Sequence, residues 1–311
     1  MNLKDFLEFV EIKTKVASII PFFLGTIYSI YRYDSLRTVN FFIMLVSLIS
    51  FDMATTAINN YCDYKKRVCT DDEKIGIISS GKLKESTALA LIAILLAIAV
   101  ISGIILTIHT NLIVFFIGAA SFSVGIFYTF GPVPISRMPL GEIFSGFFMG
   151  FVIVFLSIYI NTFDSNIILF SYNSGMLNLS INIIEIIYIF LISISCINGI
   201  FNIMLANNIC DLSKDTANDR YTLAYYIGRK NSLLLFKFMY YIIYAAIIFL
   251  IVIGVLPKIF LMSLFTFFMV DKNIKMFCSN PVKSKTFILS VMNFTIINLV
   301  QIGLMCITII F

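Results

Sequence analysis

The chain has 311 residues, 60% of them hydrophobic and only 13% charged, with a formal net charge of +5. A mean hydropathy of +0.99 excludes a water-soluble globular domain and makes this a membrane protein. The modest positive charge suits anionic headgroups or phosphate and calls for no nucleic acid, while one histidine and six scattered cysteines predict neither a zinc site nor disulfides.

Residues 1–15, MNLKDFLEFVEIKTK, place Leu3, Phe6, Leu7 and Val10 at helical spacing and predict an interfacial helix leading into the first span. Apolar runs able to cross about 30 Å of hydrocarbon follow near 16–33, 39–61, 87–108, 112–130, 139–161, 181–206, 231–254, 256–270 and 286–311. The expected fold is therefore all-α: a polytopic membrane helical bundle of about nine spans. It forms one domain over 1–311, with 1–15 as the interfacial helix and 16–311 as the bundle. The eighth run, LPKIFLMSLFTFFMV, is short and follows Gly254 closely, but the charges support it. With the N-terminus in the cytoplasm, only Arg32, Arg37 and Lys258 of the 22 Lys and Arg residues fall on the outer face. Dropping that span would send the lysines of 271–285 outside as well. The segment 162–180, TFDSNIILFSYNSGMLNLS, holds no Lys or Arg and reads as an outer loop.

One phrase occurs twice, as NNYCDYKKRV at 59–68 and NNICDLSKDT at 207–216. The third to sixth spans lie between, so both copies face the same side, which the charge count makes the cytoplasm. Asn59 and Asp63 stand one helical turn apart, as do Asn207, Asp211 and Asp215, so each set projects toward one face as a cluster of oxygen ligands. Water-exposed loop acids are the plain alternative, but ionisable groups at a bundle's edge point to function. Mg²⁺ takes oxygen ligands, keeps several waters and binds one or two carboxylates together with substrate phosphates. Two such clusters, with Lys65, Lys66, Arg67, Lys214 and Arg220 nearby in sequence, suit a diphosphate held through bridging ions.

With these motifs the chain resembles the UbiA superfamily of intramembrane prenyltransferases, whose two aspartate-rich motifs bind a prenyl diphosphate through Mg²⁺. NNICDLSKDTANDRYTLAYYIGRK at 207–230 is similar to the second motif of the 1,4-dihydroxy-2-naphthoate polyprenyltransferase branch. YTFGPVPISRMPLGEIFSGFFMG at 128–150 and EIKTKVASIIPFFLGT at 11–26 also resemble stretches of that branch. The resemblance is collinear over most of 11–230.

It implies that Asp63, Asp211 and Asp215 are Mg²⁺ ligands, with Asn59, Asn207 and Asn208 holding ligands or diphosphate oxygens. For the asparagines, helix C-terminal capping is the alternative. Lys13, Lys15 and Arg220 are candidate diphosphate contacts, with snorkelling and positive-inside topology as the alternative. Tyr128 is either a contact of diphosphate or acceptor or an interfacial anchor. Asp52 lies on much the same face as Asn59 and Asp63; it is either a base or acceptor-orienting group or the partner of Lys13 or Lys15. The first motif departs from the family, with Arg67 and Cys69 where relatives carry a second Asp. Either Asp71 or Asp72 compensates as a metal ligand, or Asp63 and Asn59 hold their ion with water.

The implied function is Mg²⁺-dependent transfer of a polyprenyl group to an aromatic acceptor, foremost 1,4-dihydroxy-2-naphthoate in menaquinone biosynthesis. The alternatives are another acceptor (4-hydroxybenzoate, haem or a glycerol lipid), or a transporter with a midplane site. The duplicated acids argue against transport, since both copies end helices on one side of the membrane.

Overall fold

The computed structural model describes residues 2–66, 77–78, 80–131, 134–165, 167–173 and 176–311. Arg67, Cys69, Asp71 and Asp72 lie outside the described residues, so the expectation that Asp71 or Asp72 replaces a missing ligand stays outside them too. The chain packs as two compact units, Met1–Ile19 with Thr38–Pro134, and Ile20–Arg37 with Ile135–Phe311.

The first unit opens with α1 (Leu3–Phe9), held by a reciprocal cap in which Asn2 Oδ1 accepts from the Asp5 amide and Asp5 Oδ2 accepts from the Asn2 amide. Glu11 takes a left-handed conformation, φ 48°, and turns the chain into a 3₁₀ segment (Ile12–Lys15) that starts α2 (Val16–Tyr33). From Ile20 on, α2 belongs to the second unit, and helices α3 (Thr38–Lys66), α4 (Glu85–His109) and α5 (Leu112–Thr129) complete the first. Phe9 and Val10 are buried against Ala54, Ala57, Ala88, Ile92 and Leu95, whereas Leu3 is 74% exposed. The helix expected to lie at the interface thus docks its C-terminal end into a core. Asn60 fixes that end by donating to the Phe9 carbonyl at 2.8 Å.

In the second unit, α6 (Gly141–Ser145) passes through a π-helical stretch (Gly146–Val152) into α7 (Ile153–Thr162). Helices α8 (Ile183–Ala217), α9 (Leu223–Val252), α10 (Thr266–Ser279) and α11 (Ile288–Ile310) follow. Their core gathers Leu205, Phe236, Tyr240, Phe277 and Ile297. Near the start of α9, Gly228 at φ 74° breaks the helical path, a conformation glycine adopts without a Cβ clash.

Among the described residues, eight helices are long and apolar enough to cross a membrane. The remaining expected span is a 3₁₀ stretch (Lys258–Phe265) followed by α10 and is not among those eight. Its apolar part, up to Val270, reaches only about 24 Å at ~2.0 and ~1.5 Å per residue, short of ~30 Å of hydrocarbon, before Asp271 and Lys272. The outer segment read as a loop contains an antiparallel hairpin, β1 (Ile168–Asn173) with β2 (Met176–Ile181), paired from Ile168 with Ile181 to Asn173 with Met176. Its strands are rich in Ile, Leu, Phe and Tyr and flank Ser174-Gly175, which is a hairpin signal.

Candidate active site

At 35 residues α8 is about 52 Å long, well beyond ~30 Å of hydrocarbon, so its C-terminal turns project into the polar region. Asn207, Asn208, Asp211 and Asp215 lie along that overhang. Asn208 and Asp215 are buried, Asn207 and Asp211 half-buried.

Each meets a different partner. Asn208 Nδ2 donates to Glu142 Oε1 at 2.8 Å, and Asn207 Nδ2 makes a long 3.5 Å contact to Asn208 Oδ1. Asp211 Oδ2 pairs with Lys283, which arrives from the segment between α10 and α11. Asp215 Oδ1 lies 3.4 Å from Arg220 Nη1, and the Arg220 amide donates back to the Asp215 carbonyl at 2.9 Å. Asp219, at φ 53°, makes the tight turn that permits this return. Arg220 Nη2 then donates to the Ser136 carbonyl at 3.4 Å and the Tyr221 amide to the Arg137 carbonyl at 3.2 Å, tying the turn after α8 to the segment before α6.

The second unit therefore brings together Asn207, Asn208, Asp211, Asp215 and Arg220. Glu142 and Lys283 join them and were not among the expected site residues. Glu142 stood out in the sequence only as an acid in the Leu-Gly-Glu stretch. Lys283 entered only the charge count.

In the first unit Asp63 and Asn59 are exposed on the last turns of α3 and make no hydrogen bond or ion pair among the described residues. Lys13 is exposed as well, and Tyr128 is half-buried on the last turn of α5. Lys15 is 1% exposed, and its Nζ reaches Asp52 Oδ1 (2.7 Å), the Asp52 carbonyl (3.0 Å) and Thr56 Oγ1 (2.7 Å). Those three acceptors use all three ammonium protons. Ser18 Oγ donates to Asp52 Oδ2 at 2.5 Å, so both Asp52 oxygens are engaged. Of the alternatives for Asp52, the geometry matches the ion pair with Lys15, and it leaves Lys15 no proton for a diphosphate. Past Asp63, Glu85 accepts from Lys65 (2.5 Å) and Tyr61 (2.9 Å), clamping the end of α3 to the start of α4.

The donor set in the second unit fits Mg²⁺. Asp215 Oδ2 is buried without a hydrogen-bond partner, a lone-pair site left for a cation, and Asp211 lies one turn away. Among the described residues no three His, Cys, Asp or Glu side chains gather closely enough to cage a metal. An ion here would take one or two carboxylates from the protein and the rest from water or phosphate, as Mg²⁺ does.

A match to the UbiA prenyltransferase family runs over residues 18–275 and so passes through both units. A 1,4-dihydroxy-2-naphthoate octaprenyltransferase of Bacillus subtilis (strain 168) is 30% identical over 244 residues, 78% of this chain and 71% of that protein. An apo UbiA homologue from Aeropyrum pernix K1 shares the fold with a TM-score of 0.65 at 17% identity, over 93% of this chain and 98% of that one. A UbiA homologue from Archaeoglobus fulgidus bound to DMAPP and Mg²⁺ matches with a TM-score of 0.64 at 12% identity, over 98% and 99% of the two chains. The transporter alternative falls with these matches: the chain belongs to the UbiA prenyltransferase family and is a membrane-spanning prenyltransferase.

Proposed function

We propose that the protein transfers a polyprenyl group from its diphosphate to 1,4-dihydroxy-2-naphthoate, with Mg²⁺ and with the reacting side toward the cytoplasm. The observation that carries the reading is the polar end of α8, where Asp215 keeps a buried oxygen unpartnered beside Asp211 and Arg220. The Bacillus relative named for the naphthoate reaction supports the choice of acceptor.

Mg²⁺ would be held at each motif by that motif's own oxygens, the Asp63 carboxylate with the Asn59 amide oxygen in one and the Asp211 and Asp215 carboxylates in the other. When bound, it would neutralise charge on the departing diphosphate. Arg220 keeps a buried Nε without a partner, a donor free for a phosphate oxygen. Lys283, paired with Asp211, would be released toward a phosphate if that carboxylate took a cation. Loss of pyrophosphate leaves an allylic cation, which an electron-rich ring carbon attacks. At a ring carbon that bears hydrogen, loss of that proton restores aromaticity; at the carboxylate-bearing carbon of the dihydroxynaphthoate, loss of carbon dioxide does so in its place.

The test is an assay of purified protein with Mg²⁺, a polyprenyl diphosphate and a panel of acceptors. Prenylated product from dihydroxynaphthoate, abolished by a chelator, is expected. Product from 4-hydroxybenzoate or a glycerol phosphate, with none from the naphthoate, would overturn the acceptor.

A further inference from the structure

Glu142 is wholly buried, yet it lies outside the aspartate motifs. Oε1 accepts from Asn208 Nδ2 at 2.8 Å, while Oε2 is buried without a partner. A buried carboxyl left half-satisfied is costly, so its retained bond calls for an explanation.

The surroundings make that bond rigid. Glu142, Gly146 and Gly150 recur every four residues and so share a helix face. A Cβ at Gly146 would lie 2.9 Å from the Ile197 carbonyl oxygen, and one at Gly150 2.5 Å from the Ile197 backbone N and Cα. The glycines let the two backbones touch, as small residues do between membrane helices. Glu142 therefore meets Asn208 at the end of a seam with no room to slide.

A carboxamide has one donor edge and one acceptor edge. With Nδ2 of Asn208 given to Glu142, its Oδ1 turns to Asn207, whose own Nδ2 approaches it at 3.5 Å. The opposite edge of Asn207, its oxygen, is then the one left to present. Two amides in series thus offer a hard oxygen rather than an N–H, which suits a divalent cation better than a phosphate.

We infer that Glu142 is a positioning residue for the reaction. Acting through Asn208, it fixes the flip of the tandem amides so that an oxygen is offered to Mg²⁺ beside Asp211 and Asp215. This inference rests on the Mg²⁺–diphosphate reading of the site.

The experiment measures calorimetric binding of inorganic pyrophosphate as Mg²⁺ is titrated, with melting temperature recorded in parallel, on the purified full-length protein. Asp211→Asn tests the underlying reading; parent-like Mg²⁺-dependent binding in that variant would overturn the site itself. With that binding lost as expected, Glu142→Ala should raise the half-saturating Mg²⁺ roughly tenfold, the size expected when a buried donor, here Asn208 Nδ2, loses its acceptor. Glu142→Gln keeps an acceptor for Asn208 and should stay within about twofold of the parent on the same argument. Adding Glu142→Ala to Asn208→Ala should give no further loss, because one acts through the other. Three results overturn the inference: a Glu142→Ala protein that melts lower but binds like the parent, a Gln variant as weak as Ala, or fully additive losses in the double variant.

Discussion

Asp211 and Asp215 stand one turn apart on α8, but Asp211 is tied to the exposed Lys283 whereas Asp215 is buried with one oxygen open. An isosteric amide keeps the shape and removes the charge. Asp211→Asn and Asp215→Asn should therefore each lower turnover by about 10²–10³-fold, comparable to losing one preorganised electrostatic contact, while the proteins still insert in the membrane. Wild-type rates in either variant would remove the metal assignment. The pair Lys15–Asp52 predicts a different outcome. Breaking a buried ion pair from one side leaves an uncompensated charge and costs about 3–5 kcal/mol, whereas replacing both partners with apolar residues is near neutral. Lys15→Met and Asp52→Leu should each lower the melting temperature more than the two together. If Asp52→Leu instead abolishes turnover with no loss of stability, the base role returns. Sequence alone kept this pairing among its alternatives because burying an acid in an apolar helix demands a partner. It could not single out Glu142 or Lys283, whose partners lie 66 and 72 residues away. Their meeting depends on how helices pack, which no local pattern encodes.

Helix length is what delivers the motifs. Helix α3 has 29 residues and α8 has 35, both in excess of the roughly 20 that span hydrocarbon, so each carries its polar phrase past the apolar slab. That overhang was legible, since an apolar run of ordinary length ends where each Asn-Asn-x-Cys-Asp begins. The hairpin at 168–181 was legible in its residues but was read only for its missing charges. The eighth run was legible as apolar, but its folding into a 3₁₀ stretch rather than a spanning helix was not. The π-helical stretch at 146–152 leaves no mark in periodicity; its glycines do, spaced four apart. Because a Cβ at Gly150 would strike backbone rather than a yielding side chain, Gly150→Ala should destabilise the protein by about 1–3 kcal/mol through overpacking. Gly303, in α11, has nothing within 4 Å of its would-be Cβ, so Gly303→Ala should leave stability unchanged or raise it by up to about 1 kcal/mol. Thermal unfolding in detergent compares the two, and equal melting temperatures would refute the close contact at Gly150.

Across the whole molecule, the family match from residue 18 to 275 makes both compact units parts of one kind of enzyme. Charge then sets how the chain lies in the membrane. Positive residues cluster in the segments that carry the motifs and between α10 and α11, while the stretch from Thr162 to Ile181 has none. Moving Lys or Arg across the bilayer is costly, so insertion retains the rich segments inside. The expectation is specific: the end of α8 should lie in the cytoplasm and the β hairpin outside. Ser213 is exposed on the overhang of α8 and Ser180 is exposed on β2, so each can carry a reporter thiol in a background whose native cysteines have been replaced. A membrane-impermeant maleimide applied to intact cells should label Ser180→Cys and miss Ser213→Cys until the membrane is opened. The polar end proposed to bind diphosphate would then draw substrate and release pyrophosphate on the cytoplasmic side. Labelling of Ser213→Cys in sealed cells, with Ser180→Cys protected, would invert the protein and move its chemistry to the opposite face.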